Sequence, residues 1–484
     1  MSLPDIGNEL LITLSSTQRA TNLTLAKEEL HVVTFDTKAV RSWTSVLLCQ
    51  APEPAHRRFP YIGILNAQLE RHDNVLQIEI RALLLEGQAG MAVVSGVIDD
   101  ERAQAAEIWV HELMYKSYGG RQRNLRLRIL INPAAGAGKS RARWIKRVEP
   151  IFRSARCELD VTYTERANEG KEIAHKLDLD NFDAIVTFSG DGMIYEVING
   201  FCTRPDAMKA LKNCPIGVLP GGSGNAMSCS LNGPRLGLNV GYAALTVLKG
   251  RPFKLDLCSI TQAKERYFSF CSQAYGLLAD VDLGTEHLRW MGGNRFVLGF
   301  IQRALAGPKY DCEISMRIIE SDKLRMREEV VKSELAQSPF GTVANEESES
   351  SDGADVKEVE DGLQTIPPLR FGTINDSLPS GPELEIIPGS KVTGWTTVNA
   401  PLCSMYAGQI PYMADNLLQF PIANSDGSIV LSILPVVSTA TLLNALDGSD
   451  IGKHYENEKL EYYKVEAYRL IPKPNASSLP NFSA

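Results

Sequence analysis

Between residues 126 and 230 one pattern occurs three times: an apolar run of strand length, a loop of small residues, then a helical stretch. "RLRILI" leads into "NPAAGAGKS" (132–140), "FDAIVTF" into "SGDGMIYEVING" (189–200), and "CPIGV" into "LPGGSGNAMSCS" (219–230). A further strand, "ELDVTYT", and a helix, "NEGKEIAHKL", lie between the first two. Strands that alternate with helices imply a parallel, doubly wound α/β sheet. Ligands of such sheets bind beyond the carboxyl ends of the strands, and the glycine-rich loops all fall there.

The first loop is not a P-loop, because Pro133 occupies the position of the first glycine. It is not a dinucleotide fingerprint either, because Arg141 stands at the third glycine. Glycines still let backbone N–H groups approach phosphate oxygens, and a helix N-terminus adds free donors and a positive dipole end. Three such loops at successive strand ends predict a nucleoside triphosphate site. In the second loop Asp191 stands between two glycines at a strand-to-helix junction. It is either a turn aspartate or the carboxylate that takes the hydroxyl proton in phosphoryl transfer. Glu196, in the first turns of the same helix, is placed to orient nucleotide or magnesium. The seven histidines are dispersed and suggest no base.

The chain of 484 residues is long enough for two or three domains. Residues 1–124 read as an accessory region, with strands at 75–85 and 91–98 and a helix at 99–118 capped by Asp99 or Asp100. Residues 125–250 form the α/β nucleotide unit, and "GGRQRNLR" (119–126) links the two. From 251 to 475 strands dominate, which predicts an all-β sandwich. Inside it, 321–368 reads as a disordered acidic insert. Its stretch 346–361, "EESESSDGADVKEVED", carries eight acidic residues and one lysine, too little apolar surface to fold. The alternative is a regulatory segment modified at Ser348, Ser350 or Ser351. A net charge of −8 argues against nucleic acid as partner. Nine cysteines without a Cys-x-x-Cys suggest reduced thiols and a cytoplasmic protein. The N-terminus lacks the features of a signal peptide. No apolar run approaches the ~20 residues that span a bilayer, so membrane contact is expected to be peripheral.

"NPAAGAGKS", "SGDGMIYEVINGF", "LPGGSGNA" and "GLLADVDLGTEHLRWMGGNRFVLG" together resemble the diacylglycerol-kinase-type catalytic domain of lipid kinases, and most nearly the sphingosine (sphingoid long-chain base) kinases. The resemblance covers roughly 125–475. It implies an α/β nucleotide domain followed by a β-sandwich that holds the lipid, with ATP and Mg²⁺ between them. It implies nucleotide contacts at Asn132, Pro133 and Ala134, at Thr164, Glu165, Arg166, Ala167 and Asn168, at Glu196, and at Gly222, Ser223 and Gly224. Arg289 and Arg295 match the basic residues that reach the phosphates from the far side. Ser189, Gly190, Asp191 and Gly192 match the substrate-side loop, with Asp191 the general base. Tyr195 stands where many relatives have histidine.

Asp282 matches a substrate-binding carboxylate. A carboxylate there favours the cationic amine of a sphingoid base, a charge that diacylglycerol lacks. The other reading of Asp282 is an ion pair with Arg289 or Arg295. Family members carry an Asp-Gly-Glu turn after the strand equivalent to "YYKVEAYRLIPK", where this sequence reads "PNASSLPNFSA". That departure makes a catalytically impaired lipid-binding regulator one alternative function; within the kinases the alternative is a diacylglycerol or ceramide kinase. Lys139, Arg141, Arg143, Lys146 and Arg147 are placed to meet an anionic membrane, with Leu298 and Ile301 as an apolar lip. The same residues also suit a solvated basic helix and an ordinary core face.

Overall fold

The computed structural model describes residues 8–35, 55–85, 90–136, 138–262, 265–291, 294–334, 365–373, 376, 383, 391–444, 447–473 and 482–483. Its centre is a four-stranded parallel sheet in the order Ile216–Pro220, Ala184–Ser189, Arg126–Ile131, Glu158–Tyr163. The strand Ala184–Ser189 is buried at every position, which explains its unbroken apolar run. Its residues alternate between two cores. Val186 and Phe188 face Trp144, Val148 and Leu245, whereas Ile185 faces Met193, Val197 and Phe201. Helices therefore cover both faces: 140–154 and Val240–Lys249 on one, Glu169–Lys176 and Asp191–Cys202 on the other. From Arg126–Ile131 the chain crosses to Glu158–Tyr163 on one side, then returns to Ala184–Ser189 on the other. The carboxyl ends of the two central strands thus flank the switch point where crevices open.

The expected all-β sandwich takes a different form. One antiparallel sheet runs Tyr310–Glu320, Glu461–Pro472, Ile429–Pro435, Gly394–Gly408, Ser272–Gly276, Phe482–Ser483. Tyr310–Glu320 also pairs with Gly394–Gly408, so four strands close on themselves. Register shifts at Arg317/Ile318, Ile318/Glu320 and Leu402/Ser404 supply the bends that closure needs. Ile314, Met316, Met405, Leu431 and Val465 fill the inside. The helices Leu277–Gly284, Asn294–Leu305 and Lys323–Glu334 pack on the outside, through Leu277, Val281, Ala304, Met326 and Val330.

The last of these helices corrects the expected boundary of the acidic insert, which was placed at 321. Asp322 Oδ1 accepts from the backbone N–H of Leu324 (3.0 Å), a helix-start contact. Met326 and Val330, four residues apart, then bury one face. Acidic composition masked this local signal. Residues 335–364, including 346–361, lie outside the described residues.

Residues 9–98 form a seven-stranded antiparallel sheet, in the order Ala55–Pro60, Glu29–Thr34, Ala20–Leu25, Glu9–Leu14, Met91–Ile98, Val75–Leu83, Ile64–His72. The helix Ala103–Tyr118 packs on it through Trp109 and Leu113. It starts after a 3₁₀ turn, Asp100–Arg102, and Asp99 makes no side-chain cap. This unit is not loosely appended. Leu65 and Leu83 enter the core of the parallel sheet. Lys249, 1% exposed, donates to the carbonyls of Tyr61 (3.0 Å), Ile62 (3.0 Å) and Ile64, and lies over the Tyr118 ring. Lys249→Met strands three carbonyls and is expected to cost about 3 kcal/mol. Thermal unfolding reads this directly, and an unchanged Tm would assign the junction to apolar contacts alone.

Candidate active site

Three loops meet at the switch point, and glycine is what lets them. Gly136 has φ +56°, and a Cβ there would stand 2.6 Å from the Gly221 carbonyl oxygen. A Cβ on Gly222 would stand 2.4 Å from the Cα of Gly190. The Asn132 N–H donates to Phe188 O (3.2 Å) and the Gly221 N–H to Ser189 O (2.9 Å), so each outer loop is tied to the central strand. Asn225 fixes the third loop by a reciprocal pair with Gly222, N–H to Oδ1 at 2.8 Å and Nδ2 to O at 3.0 Å. The residue is left-handed (φ 58°) and precedes the helix Ala226–Leu236. Sequence reading missed Asn225, although an asparagine just before a helix is a recognised start signal.

Asp191 is the first residue of its own helix and also faces the start of the next one. Its Oδ2 accepts from the Ala226 N–H (2.9 Å) and its Oδ1 from the Met227 N–H (3.0 Å). Burial pushes its pKa above the usual carboxylate range, and the N–H groups of Met227 and Ala226 pull the other way. The result is a fixed, partly desolvated carboxylate suited to accept a proton.

The remaining expected residues divide into three groups. Ser189, Gly190, Gly192, Gly222, Ser223 and Gly224 surround Asp191. The N–H groups of Ser223 and Gly224 have no acceptor among the described residues, and no atom lies within 4 Å of a Cβ placed on Gly192. This open polar cradle fits phosphate oxygens. Asn132 and Ala134 lie beside it, with Asn132 Oδ1 accepting from the Ala134 N–H (3.0 Å), next to Pro133. Beneath it the Ser140 hydroxyl, 1% exposed, has no partner among the described residues.

A second group is engaged elsewhere. Thr164 is tied to Ile131 O (2.8 Å). The Glu165 and Arg166 N–H groups turn to Glu169, and the Arg166 guanidinium grips Glu172 at 2.7 Å twice. Ala167 and Asn168 complete the turn, Asn168 with φ 64°. Glu196 Oε2 accepts from the Gly170 N–H (2.9 Å), at the start of the helix Glu169–Lys176. These contacts shape the rim of the crevice and occupy the Arg166 guanidinium and one Glu196 oxygen.

The third group lies across the crevice. Arg295 is 5% exposed, donates to Asp282 Oδ1 (3.1 Å) and Thr285 Oγ1 (3.3 Å), and lies over the Phe296 ring. The ion pair read as the alternative for Asp282 is therefore present. Asp282 is about half exposed, and its Oδ2 has no partner among the described residues. The Arg289 side chain lies outside the described residues, as do residues 474–481 of the C-terminal stretch. Cys271 and Tyr406, neither anticipated from sequence, lie near both Asp191 and Asp282, and Met413 packs beside Cys271. Both carboxylates help to raise the pKa of the Cys271 thiol and the Tyr406 phenol, after burial. No group of three or more metal-ligating side chains occurs among the described residues.

Residues 126–260 match the diacylglycerol kinase catalytic domain, and residues 13–119 match a domain of unknown function, DUF7493. The chain is 34% identical over 365 residues to sphingoid long chain base kinase 4 of Schizosaccharomyces pombe, covering 74% of this chain and 70% of that protein. It is 31% identical to sphingoid long chain base kinase 5 of Saccharomyces cerevisiae, covering 75% and 57%. To sphingosine kinase 1 of Arabidopsis thaliana it is 29% identical, covering 72% and 64%.

The loop packing makes a sharp contrast. Gly222→Ala is expected to lower stability by about 1–3 kcal/mol through overpacking. Gly192→Ala is expected to be neutral or to stabilise by up to about 1 kcal/mol, as an open helical position. Thermal unfolding of the two variants compares them.

Proposed function

The chain belongs to the sphingoid long-chain base kinase family, and from that premise we propose that it transfers the γ-phosphoryl group of ATP to the primary hydroxyl of a sphingoid base. The observation that carries this reading is the Asp191 carboxylate, fixed by two backbone N–H groups at the meeting point of three glycine loops. Asp191 takes the hydroxyl proton, the freed oxygen attacks the γ-phosphorus, and the bond to the bridging oxygen breaks to release ADP. The N–H groups of Ser223 and Gly224, with the first-turn N–H of Gly192, face the charge that develops on the phosphate. Mg²⁺ would neutralise charge on the phosphate oxygens. Asn132, Pro133 and Ala134 bound the nucleotide on one side, and the 164–168 turn with Glu196 shapes the rim.

Asp282 takes the cationic amine through its free Oδ2 while Arg295 holds the other oxygen. That pairing gives Arg295 a positioning task in place of phosphate contact. A free carboxylate oxygen opposite the base favours an amino alcohol over diacylglycerol. The nucleotide unit is assigned to 125–250 and the lipid unit to 251–475, with 1–124 as an accessory region packed on the first. Phe296, Phe300, Tyr406 and Met413 are partly buried around the helices on the outer face of the closed sheet, a wall that suits the alkyl chain.

No described helix is long and apolar enough to cross a membrane. The substrate is amphiphilic, which favours work at a membrane surface. Val297, Leu298, Ile301 and Leu305 make one exposed stripe on the helix Asn294–Leu305, which supports the apolar lip. Lys139, Arg141, Lys146 and Arg147 are exposed. They and the half-buried Arg143 have no acidic partner among the described residues. Arg143 instead lies over the Phe188 ring.

Asp191→Asn is expected to lower kcat by at least about 100-fold while ATP affinity, measured by calorimetry, stays nearly unchanged. Wild-type turnover in that variant would remove the assignment. The base must be ionised, so kcat falls as pH drops through its pKa. Burial puts that midpoint above the ordinary carboxylate value of about 3.9. Leu298→Asp combined with Ile301→Asp should weaken co-sedimentation with anionic vesicles about tenfold.

A further inference from the structure

The wall between the two carboxylates carries one polar group with nothing strong to bind. Tyr406 lies on the strand Gly394–Gly408, with its ring 5.1 Å from that of Phe420. Its hydroxyl has a single polar contact among the described residues, the Ser272 hydroxyl at 3.4 Å. That distance is long for an O–H···O bond. Among the other tyrosines of the same unit the buried Tyr463 hydroxyl also lacks a partner among the described residues, whereas four are served far better. Tyr275 donates to Asp311 O (3.1 Å), Tyr310 to Asp280 (2.6 Å), Tyr455 to Lys323 O (2.8 Å) and Tyr462 to Gln419 O (2.9 Å). A phenol in an apolar wall ordinarily finds a full partner.

Its position says what that partner is. Met413 belongs both to the cluster of Ile194, Met227 and Cys271, beside Asp191, and to the cluster of Leu277, Phe420 and Tyr406, beside Asp282. A Cβ on Gly224 would stand 3.3 Å from Met413 O and 3.9 Å from Asp191 Oδ2. Cys271 Sγ lies 3.9 Å from Met413 Sδ, and Ser272 follows it. The contacts that lead from Asp191 through Gly224 and Met413 therefore reach the cluster that holds Tyr406, and the secondary hydroxyl, one carbon beyond the amine, is the headgroup's remaining polar group.

We propose that Tyr406 recognises a secondary hydroxyl on the headgroup of the long-chain amino alcohol, between the carboxylates of Asp191 and Asp282, an inference that rests on the sphingoid-base reading above. The phenol donates to that hydroxyl, and Ser272 orients the phenol. A base that lacks the secondary hydroxyl leaves the phenol unsatisfied and is the poorer substrate.

The test compares sphinganine with 2-aminooctadecan-1-ol, which keeps the primary hydroxyl and the amine but lacks the secondary hydroxyl. The wild-type protein should show a kcat/KM ratio of about ten in favour of sphinganine, the scale of one hydrogen bond. Tyr406→Phe keeps the ring against Phe420 and should bring that ratio close to one. A wild-type ratio near one overturns the proposal whatever the variant does. A high ratio that survives Tyr406→Phe overturns it too, and leaves the kinase reading standing. A wild type that phosphorylates neither base overturns the kinase reading and this inference with it.

Discussion

Backbone against backbone is the contact on which the rest of the site depends. Gly136 meets Gly221, and Gly222 meets Gly190, at separations that leave no room for a Cβ. This packing draws three separate strand ends into one crevice. It also fixes the third loop, whose following helix presents the N–H groups of Ala226 and Met227 to Asp191. The glycines were read from sequence as openings for phosphate. Several of them serve first to let the loops touch, and Gly192 keeps the open space.

Asp191 balances two opposed effects. Burial favours its protonated form, while two helix starts favour its anion. A carboxylate held between these influences is fixed in direction yet still able to take a proton. On the opposite side, Arg295 is buried against Asp282 and leaves one carboxylate oxygen free. The crevice thus has an electronegative wall on each side and an apolar floor through Met413 and Phe420.

The N-terminal sheet contributes no residue to the crevice, but it is not independent of it. Lys249 ends the helix Val240–Lys249, which packs beside the helix that holds Asp191 by its N-terminus. That lysine is buried on carbonyls of the N-terminal unit. A hydrophilic residue at a helix end gives no sign of such a role in sequence. Only the approach of residues 61–64, about 190 positions earlier, creates it.

The sequence by itself determined the parallel sheet, the placement of its loops and the position of Asp191 at a strand-to-helix junction, because strand–loop–helix order and glycine spacing are local properties. It also carried the family motifs as continuous strings. It could not determine that the second sheet closes on itself, since closure depends on register shifts between strands far apart in the chain. It could not decide whether Glu196 and Arg166 were free or engaged, because their partners Gly170 and Glu172 are chosen by packing. Tyr406 and Cys271 acquired meaning only when the fold set them near both Asp191 and Asp282. Tertiary structure decided these points because a side chain's chemistry depends on what surrounds it, and those surroundings come from residues distant in sequence.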